Sequence, residues 1–307
     1  MTTTARLRAL VAVAETGSVR AAAQRLVLTE SAVSAAVGAL TKDVGVPLVE
    51  REGRGLRLTP AGHTFAGYAR TILGLHDEAV AAARGDIDPN RGRIRLAAVT
   101  TAADHVLPTA LAGFRSQYPD VQLRLDVAAS EQVWALLDTH ETDVVIAGRP
   151  PQWLGGIVVQ AMRDNELLAV AAPPVAADFD TEDTTWLLRE TGSGTRAACE
   201  ALLSAMEVEP PRLTLGSNGA VVAGAVAGLG VTLVSRDAIT RQLADGELVP
   251  VPLPATPLSR PWHVVTHRQV SATVALFVEH LLASGANSEP RWRRPRSSPA
   301  RSTRRGS

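Results

Sequence analysis

The chain has 307 residues, more than one average domain holds, and its 46% hydrophobic composition is enough for more than one buried core. A single cysteine, Cys199, excludes an internal disulfide framework and a cysteine-built metal site, and no apolar run approaches the roughly 20 residues that span a bilayer. Net charge is zero but uneven: residues 1–84 carry net +3, residues 85–290 net −10 and residues 291–307 net +7, so a basic front, an acidic body and a basic tail are expected to do separate jobs.

The opening "MTTTARLRALVAVAETGSV" has an apolar stretch broken by Glu15 and no small-residue cleavage pattern, which predicts a cytoplasmic protein. Leu7, Leu10, Val11 and Ala14 recur at helical spacing up to a stop at Gly17. Ser18 then caps a second helix carrying Ala22, Ala23 and Leu26, and Thr29 caps a third carrying Val33, Val37, Leu40 and Val44, ended by Gly45. The run Ala21 to Ala23 lets two helices cross closely, as a helix-turn-helix requires. "LVEREGRGLRLT" at 48–59 reads as a basic hairpin, or wing. Thr59-Pro60 starts a long helix to about Arg84, with Phe65, Ala69, Ile72, His76, Ala79 and Ala83 as an apolar seam for a second copy of the chain.

Strands and helices alternate from Arg93, predicting an α/β body with largely parallel sheets. "ELLAVAAP" near 166–173 begins a second series, and "WHVVTH" at 262–267 with its helix returns to the first. The predicted division is therefore a winged helix-turn-helix over 1–59, a linker helix and hinge over 60–90, and a two-lobed body over 91–286. Lobe I takes about 91–162 and 262–286, and lobe II about 163–261. The segment 287–307 has no periodicity and is expected to be a disordered basic tail.

In chain order, "AVAETGSVRAAAQRL", "TESAVSAAVGALTKDVGVPLVER", "LRLTPAG", "AGRPP", "RETGSGTR" and "GSNGAVVAGAVAGLGVTLVS" resemble the LysR-type transcriptional regulators over roughly residues 5–285. "AGRPP" and "GSGTR" are most like the CbbR-type branch. The resemblance implies a winged helix-turn-helix, a linker helix and a periplasmic-binding-protein-like effector domain. It also implies duplex DNA, a small anionic metabolite between the lobes, a dimer or tetramer, and RNA polymerase as partners, with no cofactor and no enzyme activity. Two features depart from the family pattern. Glu30-Ser31 stands where Gln-Pro is common, and Ala35-Ala36 follows where Arg or Lys often occurs; lobe II is also shortened between "AAPP" and "TTWLL".

With alanines at 35 and 36, direct base contacts shrink to Thr29, Glu30, Ser31 and Ser34, where Glu30 is suited to a cytosine amino group. Phosphate contacts must supply most affinity, and Arg51, Arg54 and Arg57 of the wing are the best placed cations. For the effector, "TGSGTR" opens a helix, so Ser193, Gly194 and Thr195 are candidates to hold an anion. Thr100 and Thr101 end one strand, Gly148 and Arg149 end another, and Asn218 starts a further helix; all are expected to face the same cleft. The bland alternatives are that Ser193 only caps its helix and that Arg149 only bridges to a carboxylate.

An enzyme reading has little support. "GSGTR" lacks the lysine of a phosphate-binding loop and the spacing of a dinucleotide fingerprint. His263 and His267 are four apart, but in a strand-like stretch without an evident third ligand, so no metal is expected. A transport-type solute-binding protein would share the two lobes, yet it would not carry the DNA-binding unit.

Overall fold

The computed structural model describes residues 2–52, 55–85, 88–284 and 291–295. Helices α1 (Thr4–Thr16), α2 (Val19–Leu26) and α3 (Glu30–Val44) are followed by the hairpin of β1 (Val49–Glu52) and β2 (Gly55–Leu58), then by the long α4 (Pro60–Gly85). Capping follows the predicted residues: Ser18 Oγ accepts from Ala21 N–H and Thr29 Oγ1 from Ala32 N–H, while Gly17 and Gly45 end their helices in the left-handed conformation. Leu10, Val13, Val33, Val37 and Leu40 form one fully buried cluster with Ala22, Ala66 and Ala69. At about 1.5–3 kcal/mol for each large aliphatic side chain, that burial outweighs the weak propensity of short helices in isolation. The hairpin is tied to α4 by Thr59, which caps Gly62 N–H and donates to Pro47 O. A Cβ at Gly62 would lie 1.8 Å from Leu48 O, so only glycine fits there.

Along α4 the predicted seam divides. Phe65 and Ala69 pack into the N-terminal core of their own chain, whereas Ile72, His76, Ala79 and Ala83 are exposed. Tyr68, Leu75 and Val80 are exposed beside them, so the uncovered apolar stripe runs through 68, 72, 75 and 79.

The body begins with β3 (Arg93–Val99), α5 (Thr100–His105), α6 (Leu107–Gln117), β4 (Gln122–Ala128), α7 (Ser130–Asp138), β5 (Val144–Ala147) and β6 (Ile157–Arg163). The second lobe contains β7 (Glu166–Ala171), α8 (Pro173–Ala177), β8 (Trp186–Leu188), α9 (Gly194–Ala205), β9 (Arg212–Thr214) and α10 (Asn218–Val226). It continues through β10 (Thr232–Ser235), α11 (Thr240–Ala244), β11 (Val249–Pro250) and β12 (Leu258–Ser259). The chain then returns through β13 (Trp262–His267) and α12 (Ala272–Ala283), and β14 (Trp292–Arg293) closes the sheet of lobe I.

That sheet has the order β14-β6-β13-β5-β3-β4. Among the described residues of this sheet only β3 pairs in parallel, with β4 and β5; the returning β13 runs antiparallel to both β5 and β6. In lobe II, β7 pairs antiparallel with β10, β11 and β12, and β8 with β9 is parallel. The sheets are thus mixed rather than largely parallel, because a strand re-entering a sheet from another lobe is free of the crossover geometry that makes neighbours parallel.

The disordered tail predicted from 287 is corrected at 291–295. Trp292 and Arg293 pair with Arg163 and Met162 on β6, and Trp292 is buried in the core of lobe I with Phe114 and Phe277. Arg293 forms a two-pronged bond to Asp164 at 2.7 and 2.6 Å, which holds that carboxyl below its usual range. Residues 287–290 and 296–307 lie outside the described residues.

Candidate functional site

The first candidate surface is the exposed side of α3 with its hairpin. Thr29, Glu30, Ser31 and Ser34 are all exposed, and so are Ala35 and Gly38. Thr29 is engaged twice, as cap of α3 and in a 3.0 Å bond with Ser31 Oγ, so its hydroxyl belongs first to the helix. Arg51 and Arg57 are exposed on neighbouring strands; Arg57 bonds Glu50 across the hairpin at 2.6 Å. Arg54 lies outside the described residues. Val27 is 89% exposed and Leu28 53%, so the turn before α3 also presents apolar surface.

The second candidate lies between the lobes. Thr100 and Thr101 at the start of α5, Ala129 and Ser130 at the start of α7, and Ser193, Gly194 and Thr195 at the start of α9 line one cleft with Gly148, Asn165, Leu167, Arg189, Arg260 and Trp262. Helix starts present N–H groups without intrahelical partners and a partial positive charge. No carboxylate is among the described residues lining the cleft. Thr101 is buried, at 5% exposure, and among the described residues its hydroxyl has no hydrogen-bond partner. Ser193 does cap α9, accepting from Arg196 N–H at a long 3.4 Å.

Two predicted residues are placed elsewhere. Arg149 is exposed and does not line the cleft, since the chain turns outward after β5 and only Gly148 remains at its wall. Asn218 is buried behind the cleft, where its side-chain oxygen accepts from Arg189 at 3.4 Å.

Three residues at the cleft had no distinguishing sequence pattern. Arg189 is 7% exposed and forms two 2.7 Å bonds to Glu190, which hold that carboxyl below its usual range. Asn165 and Arg260 mark the two places where the chain crosses between lobes: Arg260 N–H donates to Asn165 O at 2.8 Å and Asn165 Nδ2 to Arg260 O at 2.9 Å. The Arg260 guanidinium bridges the lobes. It donates to Gly194 O and lies 3.2 Å from where a Cβ on Gly148 would stand. It has no carboxylate partner among the described residues, and burial pushes its pKa below the usual arginine range. With this side chain across it, the cleft encloses a cavity of only about 30 Å³, far short of the roughly 300 Å³ a small-molecule site needs. A ligand therefore enters only if the lobes part or Arg260 swings.

Beside the crossings, Asp237 of lobe II accepts from Arg163 at 2.7 and 3.1 Å and from Trp262 Nε1 at 2.9 Å, both on lobe I. Cys199 is buried in lobe II, where desolvation and then the Glu200 charge push its thiol up to about 12; it packs and is not a thiolate at neutral pH. Among the described residues, no helix is long and apolar enough to cross a membrane.

The model described as bacterial regulatory helix-turn-helix protein, lysR family, matches residues 4–63, and the LysR substrate binding domain matches residues 88–286. The RuBisCO operon transcriptional regulator of Acidithiobacillus ferrooxidans is 32% identical over 296 residues, covering 92% of this chain and 94% of that protein. The HTH-type transcriptional regulator CbbR of Rhodospirillum rubrum is 35% identical over 253 residues, covering 80% and 83%. Among solved structures, the Synechocystis PCC6803 CcmR regulatory domain in complex with 2-PG superposes with a TM-score of 0.58 at 30% identity, covering 64% of this chain and 98% of that one. With a helix-turn-helix and a two-lobed domain in this order, and relatives of these names along nearly its whole length, the chain belongs to the LysR family of bacterial transcriptional regulators and stands with its CbbR-like members.

Proposed function

We propose that this regulator works in the cytoplasm as a dimer or tetramer and binds an interrupted near-palindrome through α3 and the wing of two copies. A small organic or phosphorylated acid between its lobes sets the angle of the DNA-binding units. The observation that carries the effector half is the cleft itself: hydroxyls and helix starts from both lobes, two guanidinium groups and no carboxylate among the described lining residues. The 2-PG held by the CcmR regulatory domain makes an anion of similar size the first to try. Thr100, Thr101, Ser193, Gly194, Thr195 and Arg260 are the residues proposed to hold it, with Gly148 shaping the wall and Asn218 steadying Arg189. Arg149 is left without this role.

On DNA, Glu30, Ser31 and Ser34 are proposed to face base edges, and Arg51 and Arg57 the phosphates, with Arg54 assigned by sequence alone. The uncovered stripe of α4 at 68, 72, 75 and 79 supports pairing of two copies. Contact with RNA polymerase then follows from where the dimer sits on a promoter.

In-vitro selection of genomic fragments by the full chain tests the reading. A recurrent dyad motif is expected, with Arg51→Ala weakening binding to all sequences and lowering the salt slope by about 1, and Glu30→Gln changing the preferred base. Salt-sensitive binding without any motif, or an unchanged slope in the arginine variant, would refute the assignment of α3 and the wing.

A further inference from the structure

Away from the cleft, Glu78, His140 and His267 meet where α4 rests on lobe I. His140 follows α7 with a φ of 57°, in the left-handed region, where histidine is found more often than most side chains. Its Nδ1 is 2.8 Å from Glu78 Oε2, and its ring stacks on His267 with centroids 3.7 Å apart and planes 8° from parallel. His267 in turn has Nε2 2.8 Å from Leu137 O. A carbonyl can only accept, so in the neutral ring the proton is on Nε2 and Nδ1 keeps its lone pair. One ring nitrogen of each histidine and one oxygen of Glu78 all lie within 4.8 Å of one another. The group is partly buried, and the nearby Asp143 is committed to Arg95 by bonds of 2.5 to 3.1 Å.

We propose that Glu78, His140 and His267 bind one divalent transition-metal ion of the zinc or cobalt type, clasping the linker helix to lobe I. Two imidazoles and a carboxylate suit a borderline ion with a remaining position for water. A backbone carbonyl holding the far nitrogen of a ring, as Leu137 O holds His267, is the usual support of a metal-bound histidine. The ion takes the place of the proton between His140 and Glu78, and the stacked rings tilt so that both nitrogens face it. The three ligands come from α4 and from two separate parts of lobe I, so the ion would fix the linker against the effector domain without occupying the cleft.

The test is a titration of the metal-stripped full chain with Co²⁺, followed by visible absorption and calorimetry. One equivalent is expected to bind with the absorption of a low-coordinate nitrogen and oxygen site, and Zn²⁺ is expected to displace it. Glu78→Gln and His140→Asn should each weaken binding by about ten-fold or more. Asparagine tolerates the left-handed backbone at 140, and unchanged thermal unfolding of the metal-free variants checks their fold. His267→Gln repeats the comparison from the other side should either variant fail to fold. Binding without saturation at one equivalent, or with equal affinity in folded variants, overturns the assignment.

Discussion

Replacing Arg260 with glutamine separates recognition of the effector from stability of the fold. The guanidinium donates to Gly194 O at the start of α9 and is the one cation in the cleft lining without a carboxylate partner among the described residues, Arg189 being held by Glu190. A hydrogen bond to a charged group contributes about 1.5–3 kcal/mol net, so its loss should weaken an anion by roughly 10- to 150-fold. Without ligand the sign reverses. A half-buried guanidinium facing helix starts and no counter-charge is a cost, so the variant should melt at the same temperature as the parent or higher. Calorimetric titration with 2-PG and with inorganic phosphate, together with thermal unfolding in the presence and absence of each, measures both effects. The expected result is a large rise in Kd, a vanished ligand-induced rise in Tm, and an unchanged or raised Tm of the free protein. Equal Kd values for Arg260→Gln and the parent, or a free Tm several degrees lower, would refute the assignment and make Arg260 a packing residue of the crossing.

Three further outcomes follow from single contacts. Thr101→Val keeps the shape of a residue whose hydroxyl has no partner among the described residues, so the same titration should show an anion weakened by about 2- to 10-fold with no loss of Tm. Gly74→Ala improves helix propensity by about 1 kcal/mol but sets a Cβ 2.4 Å from His140 O, and overpacking costs about 1–3 kcal/mol. Thermal unfolding should therefore show net destabilisation; a more stable variant would mean that α4 does not rest on this turn. His263 is buried, and desolvation first, with the Arg149 charge, holds its pKa below the ordinary histidine value. The stability of the neutral ring is thus fully present above the ordinary range and lost as pH falls through about 6.5 toward the lowered value. His263→Phe should flatten the acid limb of Tm against pH, and an unaltered limb would count against this.

Local chemistry made the N-terminal unit legible. Ser18, Thr29 and Thr59 cap helices through their own hydroxyls, and Gly17 and Gly45 end them, so each boundary is written within four residues of where it acts. The start of α9 at Ser193 was legible for the same reason. Arg260 and Asn165 were not: they lie 95 residues apart, and their pairing exists only because the chain crosses between lobes twice. Arg149 was misplaced by the converse error, since a strand end was read correctly while the direction of the turn beyond it is a property of packing. The seam of α4 was mixed for a related reason. Phe65 and Ala69 share helical spacing with Ile72 and His76, and periodicity alone cannot say which stripe meets the chain's own core. Trp292 was missed because a two-residue strand has no period, and its place is set by an open edge on β6.

The crossings also decide how a bound anion would be felt at the DNA. Lobe II is fastened to β6 and β13 through Asp237, and the crossing strands are paired through Asn165, with Ser235 Oγ donating to Asn165 Oδ1 at 2.6 Å. Bonds at the crossings would restrict sliding more than rotation, so any opening of the cleft is expected to turn about 165 and 260. At the other end of lobe I, Gly74 and Glu78 of α4 are set against residues 139 and 140, immediately after α7. α7 itself begins at the cleft, at Ser130, and ends at Asp138. A nine-residue helix is a rod of about 13 Å, so α7 spans the distance from the cleft to the turn that holds the linker helix. If the cleft takes the proposed effector, α7 is the one short element that touches both it and the linker's resting place, and a substitution that loosens α7 from lobe I is expected to uncouple effector titration from DNA binding while leaving both binding events intact.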